Sequence, residues 1–549
     1  MPRTPLLRAL RRLADEHREA DRLGIPPAEV RGQQQAEAAY TRGDLLKRGA
    51  IASAGVVAGS AFLSERAAAA RGGTAPRIAI VGGGIAGLNA ALTLADKGIP
   101  STIYEASTRT GGRMHSNTSG FWNDSQVTEW CGELIDTNHK TIQFLAQRFG
   151  FKLADTYAGY PNGSTDTYWF TNYGYYSADQ ADIDFQPIHN TLQGQVQATS
   201  YPTTYKLHTD AGIFFDNMTV YDWIENYVDG GHRSPMGKLL DAAYNEEYGA
   251  ETSDQAALNL MYLLGYNASP GNFSVYGKSD ERYHTIGGNE QIPQAIANYL
   301  GLQNIKLGWA MQSVRANSDG TVSMTFATPG KSQTVTADHV ILCMSFSVLR
   351  TLDYSGANFD PTKKTAIAQL GSGRNAKLQL QFKSRYWNTR GPWGIGNGNV
   401  YSDNGFQNTW DTAAGESGAS GLLVDYAGGN YAASFKPSTP YSTTADNPQV
   451  TTYAKAWLKQ LEAVFPGVSK QWNGKASLST PFLDPLLNCS YSYWKPGQYV
   501  GFSGYEGVAQ GNIHFAGEHC SQDFQGYMEG GASEGVRAGN EIISLITGH

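Results

Sequence analysis

Short apolar runs framed by glycines and polar residues recur along the chain, and several are bounded sharply enough to predict elements. Ile78-Ala-Ile-Val81 reads as a buried strand. It runs into Gly82-Gly83-Gly84-Ile85-Ala86-Gly87. Leu88, Ala91, Leu92 and Ala95 then recur at helical spacing, and Gly98 is placed to cap the helix C-terminus. Thr102-Ile-Tyr104 makes a second strand ending at Glu105. Near the other terminus, His514-Phe-Ala-Gly517-Glu518 predicts a buried strand stopping at a small residue and an acid, followed by a helix through Arg537. Between these, Arg374-Asn-Ala-Lys377-Leu-Gln-Leu-Gln-Phe382 alternates as a strand does. A segment from Thr285 through Leu342 carries another strand, containing Val314. Asp136 is positioned to cap a helix running to Gly150. The stretch from Tyr157 to Lys206, rich in Tyr, Asn, Thr and Gly, is expected to line an entrance or cover the surface.

Length and composition narrow the chemistry. A chain of 549 residues predicts two domains once any leader is set aside. A net charge of −7 lacks the basic footprint that nucleic acid requires. The four cysteines, Cys131, Cys343, Cys489 and Cys520, form no CxxC, and the 11 histidines form no HExxH, so no metal site is expected. No GxSxG stretch offers a nucleophile elbow.

Residues 1–75 read as an N-terminal extension. Thr41-Arg-Gly-Asp-Leu-Leu-Lys-Arg48 precedes an apolar, small-residue run from Gly49 to Leu63, and Ala67 to Ala70 would suit a peptidase. The run is too short for a membrane span, which needs about 20 apolar residues. The order resembles a twin-arginine leader, although Gly43 stands where the second arginine belongs. A secreted or periplasmic location is expected, with a cytoplasmic enzyme bearing an extension as the alternative.

The strand, glycine turn and helix from Ile78 to Ala95 form a dinucleotide-binding unit. Gly82 allows the tight turn, Gly84 admits a pyrophosphate to the backbone, and Gly87 lets helix and strand pack closely. Glu105 follows about 20 residues on, where an acid accepts ribose hydroxyls. The next stretch, Glu105-Ala-Ser-Thr-Arg109-Thr-Gly111-Gly112-Arg113, resembles the second fingerprint of the flavin-containing amine oxidase family. Independently, Glu518 and Gly526-Tyr527-Met528-Glu529-Gly530-Gly531 resemble that family's closing motif. The resemblance spans about residue 76 to the end. It implies an α/β fold, with a Rossmann-like FAD-binding domain of the amine oxidase type interleaved with an α+β substrate-binding domain. The expected boundaries are 76–133, 281–344 and 486–549 for the FAD domain, and 134–280 and 345–485 for the substrate domain. FAD contacts are implied for Gly82, Gly84, Ile85, Ala86, Gly87, Glu105, Ala106, Gly112 and Arg113. They are implied also for Gly132, Glu133, Leu134, Val314, Glu518, Gly526, Tyr527 and Met528.

The family oxidises a carbon–nitrogen bond, which requires a neutral amine held in line in a dry aromatic chamber. The resemblance makes Tyr527 one wall, with Tyr491, from Cys489-Ser-Tyr491-Ser-Tyr493-Trp494, opposite. It makes Lys377 the lysine that holds a water near flavin N5. Cys489 falls where monoamine oxidases attach flavin by a thioether, but it reads first as a buried structural cysteine. Venom-type L-amino-acid oxidases grip the substrate carboxylate with an arginine whose place is taken here by Leu134. Arg282 or Arg374 would have to replace it. The leader and two further stretches, Asn259 to Gly265 and Phe406 to Trp410, nonetheless resemble bacterial L-amino-acid oxidases. The expected activity is oxidative deamination of L-amino acids, with oxidation of primary amines or polyamines as the alternative. Glu133 and Asp136 would suit a substrate with a distal cation. A small-molecule substrate and oxygen are the expected partners, and a homodimer the expected assembly. A flavin-binding protein without turnover is the non-enzymatic reading.

Overall fold

The computed structural model describes residues 75–266 and 268–548, so the leader read at residues 1–75 lies almost wholly outside the described residues. The expected dinucleotide unit forms: β1 (Ile78–Val81), α1 (Ile85–Ala95) and β2 (Thr102–Glu105) follow one another directly. Later segments add β3 (Ile305–Leu307), β4 (His339–Leu342) and β5 (Ile513–Phe515). The five strands make one parallel sheet in the order β5-β4-β1-β2-β3. Strand β1 is buried throughout, which is why its sequence is continuously apolar rather than alternating. The C-terminal helix α2 (Met528–Thr547) covers α1. Asn89 Nδ2 donates to the Ala532 carbonyl at 2.8 Å, a contact 443 residues apart in sequence. The two helices approach so closely at Gly535 that a Cβ there would lie 2.3 Å from the Ala86 oxygen.

A three-stranded antiparallel meander, Ala310–Ala316, Val322–Thr328 and Lys331–Ala337, flanks this sheet. Tyr104 at the end of β2 stacks on Phe326 of the meander at 4.8 Å. A second, eight-stranded sheet takes its strands from residues 165–176, 396–428, 441–443, 472–479 and 375–382. Its pairs are antiparallel except Gly396–Ser402 against Thr165–Phe170. Helix Pro448–Val464 packs on this sheet with Val450, Ala454, Trp457, Leu458, Leu461 and Val464, all buried at helical spacing. Among the described residues no helix is long and apolar enough to cross a membrane.

Two local expectations are corrected. The stretch from Tyr157 to Lys206 is not mere covering: it supplies strands Thr165–Phe170 and Gly174–Tyr176 and the 22-residue helix Ala178–Thr199. That helix buries Ala181, Phe185, Ile188 and Leu192, a helical period hidden among polar residues. Asp136 does not cap the next helix, which runs Lys140–Arg148. Glu529 of α2 does so from far along the chain, accepting from Thr141 N and Ile142 N at 2.9 Å each.

Candidate active site

The glycine turn after β1 is held from both sides. Gly82, at φ 110°, donates its N–H to the Tyr104 carbonyl at 2.8 Å. A Cβ on Gly87 would lie 2.0 Å from the Gly82 oxygen, so α1 can start against the turn only with glycine there. The Glu105 carboxylate accepts from Gly83 N at 2.6 Å and Ser107 N at 2.7 Å. Across the cleft, Arg113 donates to Glu518 Oε1 and to the Ser490 carbonyl, each at 2.9 Å. The second Glu518 oxygen accepts from Ser492 Oγ at 2.8 Å and Gly526 N at 3.0 Å. Burial pushes the Glu518 carboxyl upward, but Arg113, His519 and these hydrogen bonds outweigh it and hold the group below the usual carboxylate range. Tyr527 occupies the N-cap position of α2 without a side-chain cap, so the first amides of that helix are left for another acceptor.

These groups surround one cavity of about 410 Å3. Of the expected cofactor residues, Gly82, Gly84, Ile85, Ala86, Glu105, Ala106, Gly112 and Arg113 line it. So do Gly132, Glu133, Leu134, Glu518, Gly526, Tyr527 and Met528. Gly87 does not; it serves helix–turn packing. Val314 does not either. It is 1% exposed in the meander core, on the same face of its strand as Met311, while Ala310 and Met311 line the cavity. The cavity fits a dinucleotide: a Cβ on Gly84 would meet nothing nearer than Gly112 Cα at 4.0 Å, so the turn is open to it.

The far end is aromatic and acidic. Tyr491, Tyr527, Trp410 and Tyr426 line it with Lys377. Lys377 Nζ lies 2.6 Å from Glu133 Oε2 and donates to the Cys131 carbonyl at 2.8 Å. Trp410 Nε1 donates to the other Glu133 oxygen at 2.8 Å. Tyr527 Oη donates to Glu247 Oε1 at 3.1 Å, and Tyr491 Oη donates to the Glu247 carbonyl and lies 2.9 Å from Tyr426 Oη. Glu247, near the end of helix Pro235–Tyr248, and Glu281 complete the acidic wall. Burial pushes the Glu247 carboxyl up to about 7, opposed by the Tyr527 hydrogen bond and assisted by Asp136. Burial and the charges of Glu247 and Asp136 hold Glu281 well above the usual range. Asp136 lies behind this wall, accepting from Ser279 Oγ at 2.7 Å and Glu281 N at 3.0 Å. No motif marks Glu247 or Glu281; only the fold brings them here.

Three further expectations meet the geometry. Arg282 is spent on Asp155, which it binds through Nε at 3.0 Å and Nη2 at 2.6 Å, and it does not line the cavity. Arg374 is exposed outside it. Cys489 is 2% exposed, lies off the cavity wall and accepts from Ser347 Oγ at 3.1 Å. Acid precipitation of the holoprotein should therefore leave the yellow flavin in the supernatant, and Cys489→Ser should retain the wild-type flavin content. Flavin that stays with the pellet would contradict this placement.

A dinucleotide cleft closed by an acid and an arginine from distant segments, opening into an aromatic chamber, defines a flavin-dependent oxidoreductase. The family model for flavin containing amine oxidoreductase matches residues 85–543. The chain belongs to that family, and its cofactor is FAD. The L-amino-acid oxidase of Vipera ammodytes ammodytes is 21% identical over 492 residues, covering 85% of this chain and 92% of that protein. The Naja atra L-amino-acid oxidase is 22% identical over 510 residues, covering 85% and 87%. Among solved structures, cyclohexylamine oxidase from Brevibacterium oxydans superposes with a TM-score of 0.71 at 19% identity, over 86% of this chain and 100% of that one. Putrescine oxidase bound to putrescine gives 0.68 at 17% identity, over 85% and 99%.

Proposed function

We propose that the protein oxidises the carbon–nitrogen bond of an amine whose skeleton carries a second cationic group. FAD, when bound, takes a hydride equivalent from the carbon bearing the nitrogen and is reoxidised by oxygen. The chain's own residues supply the dry aromatic chamber and hold the amine in line. One observation carries the choice of substrate. Each cation lining the cavity is already engaged: Arg109 by the Thr110 and Gly112 carbonyls, Arg113 by Glu518 and Ser490, Lys377 by Glu133 and Cys131. Among the described lining residues each guanidinium already holds a partner, whereas Glu247 and Glu281 present carboxyl oxygens that no hydrogen bond occupies.

L-Amino acids are the second reading, supported by the two venom relatives that align over most of the chain. Anaerobic bleaching of the bound flavin separates the two. The panel pairs 1,4-diaminobutane and simple monoamines with L-lysine, neutral L-amino acids and their D-enantiomers. Faster bleaching by the diamine than by monoamines is the expected result. Bleaching confined to L-amino acids would sink the amine reading and require a carboxylate anchor outside the cations named above.

A further inference from the structure

A substrate amine reaches the site as an ammonium, since alkylammonium groups titrate near pH 10, as the lysine side chain does. Its lone pair must be freed before the carbon can give up a hydride, so a base in the chamber has a defined task. The candidates are few. Glu133 has one oxygen on Lys377 and the other on Trp410. Asp136 does not line the cavity, and its oxygens serve Ser279 and the Glu281 amide, with His139 3.7 Å away. Glu246 is buried away from the cavity against Tyr276 and Asn408. Glu281 lines the cavity but is crowded by Glu247, Asp136, Glu246 and Glu133, which favours its neutral form.

Glu247 differs from Glu133, Asp136 and Glu246 in keeping a carboxyl oxygen free at the cavity, and from Glu281, whose carboxyl no described residue holds, in being fastened to both aromatic walls. Its Oε1 accepts only the Tyr527 hydroxyl, and among the described residues its Oε2 is left for a ligand. Its carbonyl holds Tyr491, whose hydroxyl meets Tyr426, and Tyr248 follows it in the helix. One residue thus fastens both walls of the chamber and presents an oxygen between them. We infer that Glu247 is the base that takes the proton from the substrate ammonium. An N–H bond breaks, the nitrogen keeps the electron pair, and an O–H bond forms on the Glu247 carboxylate. The inference rests on amine oxidation at this site, but it holds for an α-ammonium as well as for a diamine.

The test is the pH profile of anaerobic flavin reduction in the holoenzyme, from pH 6 to 10. The probe is 1,4-diaminobutane, with L-lysine run in parallel. In the wild type the second-order rate of reduction should rise with pH through about 7, as the carboxyl ionises. In Glu247→Gln the rise should move to the ionisation of the free amine, near pH 10. The rate should then fall on the order of 100-fold at pH 7, yet lie within about 3-fold of wild type at pH 10. Glu247→Asp should keep a limb near neutrality. Tyr527→Phe should move that limb upward, because the phenol hydrogen bond favours the ionised carboxyl. A limb near 7 that survives in Glu247→Gln, or a uniform loss at every pH, would overturn the assignment. Reduction by L-lysine alone with the predicted shift would retain the base and refute only the amine substrate. Reduction by neither probe would refute both.

Discussion

Glu518→Ala should yield a protein that purifies without flavin and is less stable than the wild type by about 3–5 kcal/mol. Glu518 is 5% exposed, and it joins three distant pieces of chain: Arg113, Ser492 and the Gly526 amide. Truncation leaves the Arg113 guanidinium facing only the Ser490 carbonyl, and it frees the loop that starts α2. Both losses act on the wall that holds the cofactor. Glu518→Gln, which keeps the acceptor but not the charge, should lose less. The ratio of flavin to protein absorbance, together with denaturant melts with and without added FAD, reads both effects. Stoichiometric flavin in Glu518→Ala would remove this residue from the binding site. The pH sign follows from its depressed folded-state pKa. The contribution is complete above the ordinary carboxylate range and is lost as pH falls through the lower folded value.

Lys377→Met should also destabilise the protein by about 3–5 kcal/mol, for the complementary reason. The Glu133 side chain is 4% exposed, and once the ammonium is gone it faces only the Trp410 indole. A buried carboxylate so stranded must either stay charged at high cost or take up a proton. Adding Glu133→Gln removes that charge, so the double variant should recover most of the loss, a non-additivity that a double-mutant cycle measures. Both variants should keep FAD but show a slowed flavin half-reaction, because the lysine at the cavity wall is missing in each. Wild-type stability in Lys377→Met would remove the Lys377–Glu133 pair from the contacts that hold the fold. Wild-type half-reaction rates would instead remove the role that the family resemblance implies for Lys377.

Much of the cofactor cleft was legible because its signals are local. A continuous apolar strand, a glycine turn and a terminal acid occupy about 30 consecutive residues, and their spacing alone requires the geometry found at Gly82 and Glu105. Arg113 and Glu518 were legible as separate motifs, but their pairing was not, since nothing local relates them. The strand Asn375–Phe382 shows a deeper limit. Its alternation is real, yet all eight residues are buried. The polar face meets segment 123–133, where Gln379 Nε2 donates to the Glu129 carbonyl and Gln381 Nε2 to the Asn123 carbonyl. Alternation reports two different faces, not which of them meets water. Val314 shares its face with Met311 across the strand irregularity, and which of the two lines the cleft is set by the packing of the meander rather than by the strand's own pattern. Glu247 and Glu281 were illegible because an acid in a helix or loop is ordinarily solvated. Only long-range packing turns them inward.

The clasp between α1 and α2 bears on how this protein comes into being. The glycine turn is made well before the helix that covers α1 and the strand β5 beside β4, which are among the last described residues to leave the ribosome. Until then the exposed face of α1 and an open edge of the parallel sheet have no native partner within the nascent chain, which invites pairing with other chains. The eight-stranded sheet, complete by residue 479, can settle first. The cofactor cleft therefore has no complete wall until Glu518, the Gly526 amide and the start of α2 have been made, so FAD meets its finished site only after nearly all the described residues are in place.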